Sequence, residues 1–264
     1  MKFFKKIIWQ LLYKNKNEFT VSVRDNTVYF DTSNKYSKKW FFPRVGKVRI
    51  HEPGLLREIE QYMQQDSVFF DVGSHLGYFS CMLAVGYPER RVYSFEMNPY
   101  SIVQIKNNIE ENKFKNVHVI NAAISDKDGL ISIQDPEIPN PGGQIRKGNN
   151  KKLEIPSLTI DRYCIDNNLK PDILKIDVEG AELQVLKGMT KLLNRGCILF
   201  IEVHPVKLFD FNTNASELLC YLNNFDYSLD LIIDHRQRGS EIKRISPSYR
   251  LESNTMIIAK PNAT

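Results

Sequence analysis

The sequence predicts an α/β fold: a mostly parallel seven-stranded sheet with helices on both faces and an antiparallel edge hairpin. Three observations predict it. From residue 67 onward, short apolar stretches alternate with helix-period stretches, as strand–helix–strand units do. The central stretches Ser67–Asp71 and Asp172–Asp177 are nearly continuous apolar runs, the mark of strands buried on both faces. A glycine turn, Gly73 to Gly77, links the first of them to a helix.

The elements follow in order. Phe19–Arg24 and Thr27–Asp31 alternate around Asp25-Asn26, which reads as a hairpin. Phe41–Ile50 is a weaker strand region. Pro53 opens a helix to about Gln64, with Leu55, Leu56, Ile59 and Tyr62 on one side. Strand Ser67–Asp71 leads into helix Leu76–Val85, strand Arg91–Glu96 into helix Pro99–Asn112, and strand Val117–Asn121 follows. Strand Asp172–Asp177, helix Ala181–Leu193, strand Cys197–Val203 and helix Ala215–Asn224 continue the alternation. Tyr227–Ile233 and Thr255–Ala259 close the sheet as an antiparallel pair, joined by a long polar connection over Asp234–Leu251. Gln134–Pro156 interrupts the rhythm with prolines, glycines and four basic residues. It reads either as a plain surface loop or as a loop over the substrate.

The composition is that of a globular chain: 264 residues, 42% hydrophobic and 25% charged. Collagen-like, coiled-coil and disordered classes are excluded, and the length can bury a sizeable core. The four cysteines are too far apart for a metal knuckle and read as free thiols in a reducing compartment, so a cytoplasmic location is expected. No apolar run reaches the roughly 20 residues a bilayer span needs. The net charge of +5 is unevenly spread. Residues 1–50 hold 12 Lys/Arg against 3 Asp/Glu, while the other 214 hold 24 against 28. The chain therefore divides into a basic extension, 1–50, and a mildly acidic body, 51–264. Residues 1–14 read as a short basic helix with Phe4, Ile7, Ile8, Leu11 and Leu12 on one face. That face either packs on the body or, over residues 1–16, rests on an anionic membrane surface.

The chemistry gathers at strand ends. In Val68-Phe-Phe-Asp-Val-Gly-Ser-His-Leu-Gly-Tyr-Phe79 a buried strand meets Asp71, then Gly73, Ser74, His75 and Gly77. Ligands of open α/β sheets bind at such carboxyl ends. Glu96 ends the next strand, placed to accept two ribose hydroxyls, with Met97 beside it. Asn121, Ala122 and Ala123 end the third, where small side chains leave room for adenine. Together they describe an adenosine site. The dinucleotide glycine pattern and the P-loop are both absent. A carboxylate before the first glycine repels phosphate and suits the cationic end of S-adenosylmethionine.

These segments resemble the FkbM-type S-adenosylmethionine-dependent methyltransferases. The likeness runs from about Glu52-Pro53 to Pro205. Its carriers are Phe70–Tyr78, Phe95–Pro99, Asn121–Asp126, Leu158–Asp161, Leu174-Lys-Ile-Asp-Val-Glu-Gly-Ala-Glu-Leu183 and Ile201-Glu-Val-His204. His75 departs from the usual Asn, and Met97 from the usual Pro. The resemblance implies a Rossmann-like class I methyltransferase fold, S-adenosylmethionine as cofactor, and methyl transfer to a hydroxyl of a sugar or natural product. The cofactor residues expected are Asp71, Gly73, Ser74, His75, Gly77, Glu96, Met97, Asn121, Ala122, Ala123 and Asp177.

Such a transfer needs one base at the mouth of the sheet. His204 or Asp177 is the candidate, with Glu202 orienting. Asp177, Glu202 and His204 also have ligand chemistry for a divalent ion, but proton abstraction alone accounts for them, so no metal is expected. Glu182 and Glu179 read as acids at a helix start. Lys175 pairs with Asp177 or Glu202. Glu52 either closes over the cofactor or starts a helix, and His51, His118 and His235 carry no assigned role. The acceptor expected is a small molecule or a glycan. Two rival readings are an RNA-directed methyltransferase using the basic extension and a non-catalytic module on the same fold. The lack of a [DN]-P-P-[YF] tetrapeptide argues against nucleic acid, and the intact carboxylates against a dead module.

Overall fold

Alternating burial over Glu18–Asp31 builds the first hairpin. In the computed structural model, which describes residues 16–45, 50–134 and 152–262, β1 (Glu18–Val23) pairs antiparallel with β2 (Asn26–Asp31). The turn is Arg24-Asp25, one residue earlier than expected, with Arg24 taking the left-handed conformation at φ 50°. Of the weak strand expected at Phe41–Ile50, residues 41–45 instead end a helix, α1 (Lys35–Val45), and residues 46–49 lie outside the described residues. Asn34 Oδ1 accepts the Ser37 N–H at 2.8 Å at its start. Tyr36, Ser37, Trp40 and Phe41 are buried, a helical spacing that the aromatic content of the segment disguised. The basic helix expected over residues 1–14 lies outside the described residues.

Pro53 opens α2 (Pro53–Tyr62). The strand–helix units then follow: β3 (Val68–Val72), α3 (Tyr78–Ala84), β4 (Arg91–Phe95), α4 (Pro99–Glu111), β5 (Val117–Ile120). Next come β6 (Ala123–Ile124), β7 (Gly129–Gln134), β8 (Lys152–Leu158), α5 (Ile160–Asp166), β9 (Ile173–Ile176), α6 (Glu182–Lys187), α7 (Thr190–Arg195) and β10 (Ile198–Val203). The chain closes with α8 (Pro205–Leu208), α9 (Ala215–Asn224), β11 (Tyr227–Ile233), β12 (Glu241–Ile245) and β13 (Thr255–Pro261).

The main sheet has the order β12-β11-β13-β10-β9-β3-β4-β5. β5, β4, β3, β9 and β10 are parallel, and β13 runs against both β10 and β11. The sheet therefore has eight strands rather than seven. The polar connection carries β12, whose Glu241–Arg244 side chains are all exposed, so no apolar alternation marked it. β11 and β13 are neighbours as expected, but β13 sits inside the sheet, and the edge hairpin is β11–β12.

Two further departures have local causes. Of the loop expected over Gln134–Pro156, residues 135–151 lie outside the described residues, while its last residues belong to β8, which pairs with β7 from Gln134↔Lys152 to Gly129↔Ser157. Helix Ala181–Leu193 breaks into α6 and α7 at Gly188-Met189. An added Cβ on Gly188 would lie 2.0 Å from the Ser125 carbonyl, and the Gly188 carbonyl accepts from Asp161 N–H.

The core lies on both sheet faces. Leu183, Leu186, Leu193, Leu218 and Leu222 pack on one with Phe70 and Leu174. Leu55, Ile59, Cys81 and Met82 pack on the other with Phe69 and Phe200. Val21, Val28, Phe30, Trp40 and Phe41 of the basic extension belong to that second core, and Phe30 stacks on Tyr78 at 5.4 Å. All four cysteines are free. No helix among the described residues is long and apolar enough to cross a membrane.

Candidate active site

The residues with chemistry stand where the parallel strands end. Glu96, Asn121, Asp177 and His204 each directly follow the last residue of a strand, β4, β5, β9 and β10. This places them along one edge of the sheet, beside the turn after β3.

That turn is fixed by backbone. Gly73 has φ 78°, and an added Cβ would lie 2.0 Å from the Asp177 carbonyl oxygen, so two strand-end loops touch there. The N–H groups of Gly73 and Ser74 both donate to the Phe95 carbonyl at 3.0 Å. Gly77, at φ 72°, leads into α3. His75 also takes a left-handed conformation, φ 55°, and its N–H donates to Glu96 Oε2 at 2.7 Å. The Asn98 N–H donates to Glu96 Oε1 at 2.8 Å. Glu96 is thus held by two backbone donors, with lone pairs remaining on both oxygens. Burial pushes its carboxyl up to about 7, and the nearby Asp71 and Asp177 add to the rise against those hydrogen bonds. Asn121 does not line the crevice by its amide alone: its Nδ2 donates to the carbonyls of Glu96 and Met97, bracing that loop. Ala122 is buried, and Ala123 is half-buried at the start of β6.

Asp71 lies beneath the turn. Its Oδ2 accepts from Ser80 Oγ at 2.7 Å and Ser80 N at 3.1 Å, while Oδ1 is buried without a hydrogen-bond partner. Lys175, opposite Asp71 in the strand register, brings its ammonium within 3.8 Å of that oxygen. Burial raises the Asp71 carboxyl despite this cation. The same ammonium donates to Asp177 Oδ2 at 3.2 Å and lies 5.0 Å from the Phe79 ring. Burial lowers its affinity for a proton, but Asp177, Asp71, Glu52 and Glu202 together raise it above the ordinary lysine value. Lys175 therefore balances a crowd of carboxylates at the crevice.

His204 is buried, and its Nδ1 lies 2.7 Å from Glu182 Oε1. Its Nε2 faces Glu179 Oε2 at 3.3 Å and Asp177 Oδ1 at 3.9 Å. Glu179, at φ 56°, is ion-paired with Lys207. Burial pulls the imidazole down, but Glu182, Asp177 and Glu179 outweigh it and raise it above the ordinary histidine value. Glu202 does not orient this ring through a hydrogen bond. It lies inside β10, and its Oε1 accepts from Arg236 at 3.3 Å. The partner on His204 is Glu182, whose place in the sequence reads only as an acid at a helix start. Asp177, Glu179 and His204 each bring one ligand-type atom within 4.8 Å of the others, and the Lys207 ammonium already lies against Glu179.

A second charged group closes the front. Glu52, at φ 46°, lies 3.6 Å from His51 and 3.6 Å from His235 and accepts from Arg236 Nε at 3.4 Å. Burial alone would raise its carboxyl; His235, His51 and Lys175 instead hold it down at about 2. Burial, with Asp177 and Glu52 nearby, pushes Glu202 up to about 7. Arg236 bridges Glu52 and Glu202 from the β11–β12 turn. That turn is seated on α2: an added Cβ on Gly54 would lie 2.6 Å from the Gln237 carbonyl. His235, Arg236 and Tyr36 were missed in the sequence because the chain places them far from every motif. Tyr36 hydrogen-bonds the His75 ring, and Trp40 lies against it at 5.5 Å, so α1 walls the glycine turn.

The strand order, the glycine turn and the paired carboxylates define a Rossmann-like, S-adenosylmethionine-dependent methyltransferase. The model of the methyltransferase FkbM domain matches residues 71–229, and the chain belongs to that family. It is similar to the hexuronic acid methyltransferase AglP of Haloferax volcanii, 28% identical over 190 residues, covering 70% of this chain and 77% of that protein. It is also similar to the 2-O-methyltransferase NoeI of Sinorhizobium fredii, 22% identical, covering 64% of this chain and 77% of that one. Among solved structures, a methyltransferase from Aquifex aeolicus is similar at 14% identity and a TM-score of 0.48, covering 88% of this chain and 98% of that one.

Proposed function

We propose that the chain transfers a methyl group from S-adenosylmethionine to a hydroxyl of a sugar, in a glycan, lipopolysaccharide or glycosylated natural product. The relatives' names support this: one is a hexuronic acid methyltransferase and another a 2-O-methyltransferase. One observation carries the chemistry: a buried imidazole at the end of β10 with Nε2 facing Glu179 and Asp177, the latter in the loop that touches the glycine turn. The donor supplies a methyl group already activated on a sulfonium, so the chain's work is alignment and one proton. The hydroxyl oxygen bonds to the methyl carbon as the carbon–sulfur bond breaks, and the hydroxyl proton passes to His204 Nε2. Glu96 holds the ribose. Asp71, buried on Ser80 and Lys175 rather than open to the cofactor as expected, supports from beneath the turn that receives the cationic end, and Gly73 keeps that turn tight. Asp177 faces both the cofactor and the imidazole.

Transfer of labelled methyl from S-adenosylmethionine into fractionated cell-envelope glycans tests this reading. Label in the glycan fraction is expected; label in RNA instead would overturn it. Calorimetry sorts the residues. Asp71→Ala and Glu96→Ala should lose cofactor binding. His204→Ala and Asp177→Asn should bind cofactor and lose turnover, and full turnover in both would remove the base assignment.

A further inference from the structure

Glu182 is fully buried, at 0% exposure, in the first turn of α6. An acid there gains from the helix dipole when it stays near solvent. A carboxylate taken wholly out of water costs several kcal/mol unless other groups hold it. Both holding contacts converge on one oxygen. Oε1 accepts from Gly180 N–H at 3.0 Å and lies 2.7 Å from His204 Nδ1, while Oε2 has no hydrogen-bond partner. The first contact is local. The second crosses 22 residues to the end of β10. The backbone enforces it: Gly180 takes φ 116°, and an added Cβ would lie 2.7 Å from the Lys207 carbonyl, so this turn is pressed onto α8 just past His204.

We propose that Glu182 is a positioning residue for the methyl transfer, holding the Nδ1–H of His204 so that Nε2 is the nitrogen that accepts the hydroxyl proton. The proposal rests on His204 as the base. Neutral imidazole carries its proton on either nitrogen. Of the carboxylates facing the ring, Glu182 at 2.7 Å from Nδ1 is closer than Glu179 at 3.3 Å from Nε2, so Glu182 fixes the tautomer and stabilises the imidazolium once formed. The charged groups around the ring are Glu182 from α6, Asp177 and Glu179 from the loop after β9, Lys207 from α8, Lys175 from β9 and Glu202 from β10.

Nitrogen-15 NMR of the full-length protein, with labelled histidine and His204→Gln to assign the signal, reads this directly and needs no acceptor. The wild-type neutral ring should carry its proton on Nδ1 and titrate above the ordinary histidine value. Glu182→Gln keeps an acceptor beside Gly180 N–H and Nδ1 but removes the charge. It should keep the tautomer, lower the titration point by about one unit and reduce label transfer roughly tenfold. Glu182→Leu removes the acceptor as well. It should mix the tautomers and reduce transfer about 100-fold, with cofactor affinity unchanged. A wild-type proton on Nε2, or a His204 titration unmoved in folded Glu182→Gln, would overturn the proposal. A merely structural Glu182 would lower the melting temperature and leave tautomer and titration alone. Failure of the wild-type protein to bind S-adenosylmethionine would instead strike the reading of function.

Discussion

At the scale of single residues, protonation sets what the site can do. Glu96 is held near 7 by burial, yet its proposed work is to accept ribose hydroxyls, which the ionised form does best. Cofactor affinity should therefore rise with pH between about 6 and 8. Glu96→Gln should bind at least about tenfold more weakly and lose that dependence. Calorimetry across this range checks it; a flat wild-type profile would count against the ribose assignment. Asp71, Glu96 and Asp177 were legible in the sequence because each lies beside a strand end that the apolar runs had already marked. Glu182 was not. A buried carboxylate and a solvent-facing helix-start acid look identical in sequence, and their difference is made by Gly180 and Lys207, which bring β10 alongside.

At the scale of elements, two glycines do different work. Gly73 needs both its positive φ and its missing Cβ, because the β3 and β9 loops meet there. Gly73→Ala should destabilise the fold by about 3 kcal/mol and lower cofactor affinity more than tenfold. Gly188 has φ −81°, which any residue tolerates, but no space beside Ser125. Gly188→Ala should cost about 1–3 kcal/mol in urea unfolding with cofactor affinity unchanged. Equal loss of affinity in both would mean that the turn after β3 has no special part in binding. The parallel strands were legible because burial on both faces leaves unbroken apolar runs. β12 and α1 were not. An edge strand need bury little, and the aromatic residues of α1 also suit a strand until the surface they cover is known.

For the whole molecule, the buried ionisable groups shape stability. Glu96 and Glu202 titrate near 7 in the folded protein against about 4.5 in the unfolded chain. Each therefore withdraws stability as pH rises through that window, on the order of 2–3 kcal/mol. The raised His204 acts in the same direction, its contribution present below about 6.5 and lost above its folded value. Glu52 is lowered to about 2, and its contribution is lost only as pH falls below about 4.5. The cofactor-free protein should melt highest near pH 5 and fall toward pH 8, and Glu202→Gln should flatten the decline. Scanning calorimetry checks this; a melting temperature that rises toward pH 8 would show that these groups are not the ones setting stability. The alternation of strands and helices, the glycine turn and the carboxylates at strand ends are all readable from the residues alone, because periodicity and local turn chemistry are written in neighbouring residues. Folding alone pairs His204 with Glu182, sets Arg236 between Glu52 and Glu202, and brings described residues of the basic extension into the core and, through Tyr36, against the glycine turn. Those contacts join residues distant along the chain, and packing alone brings them together.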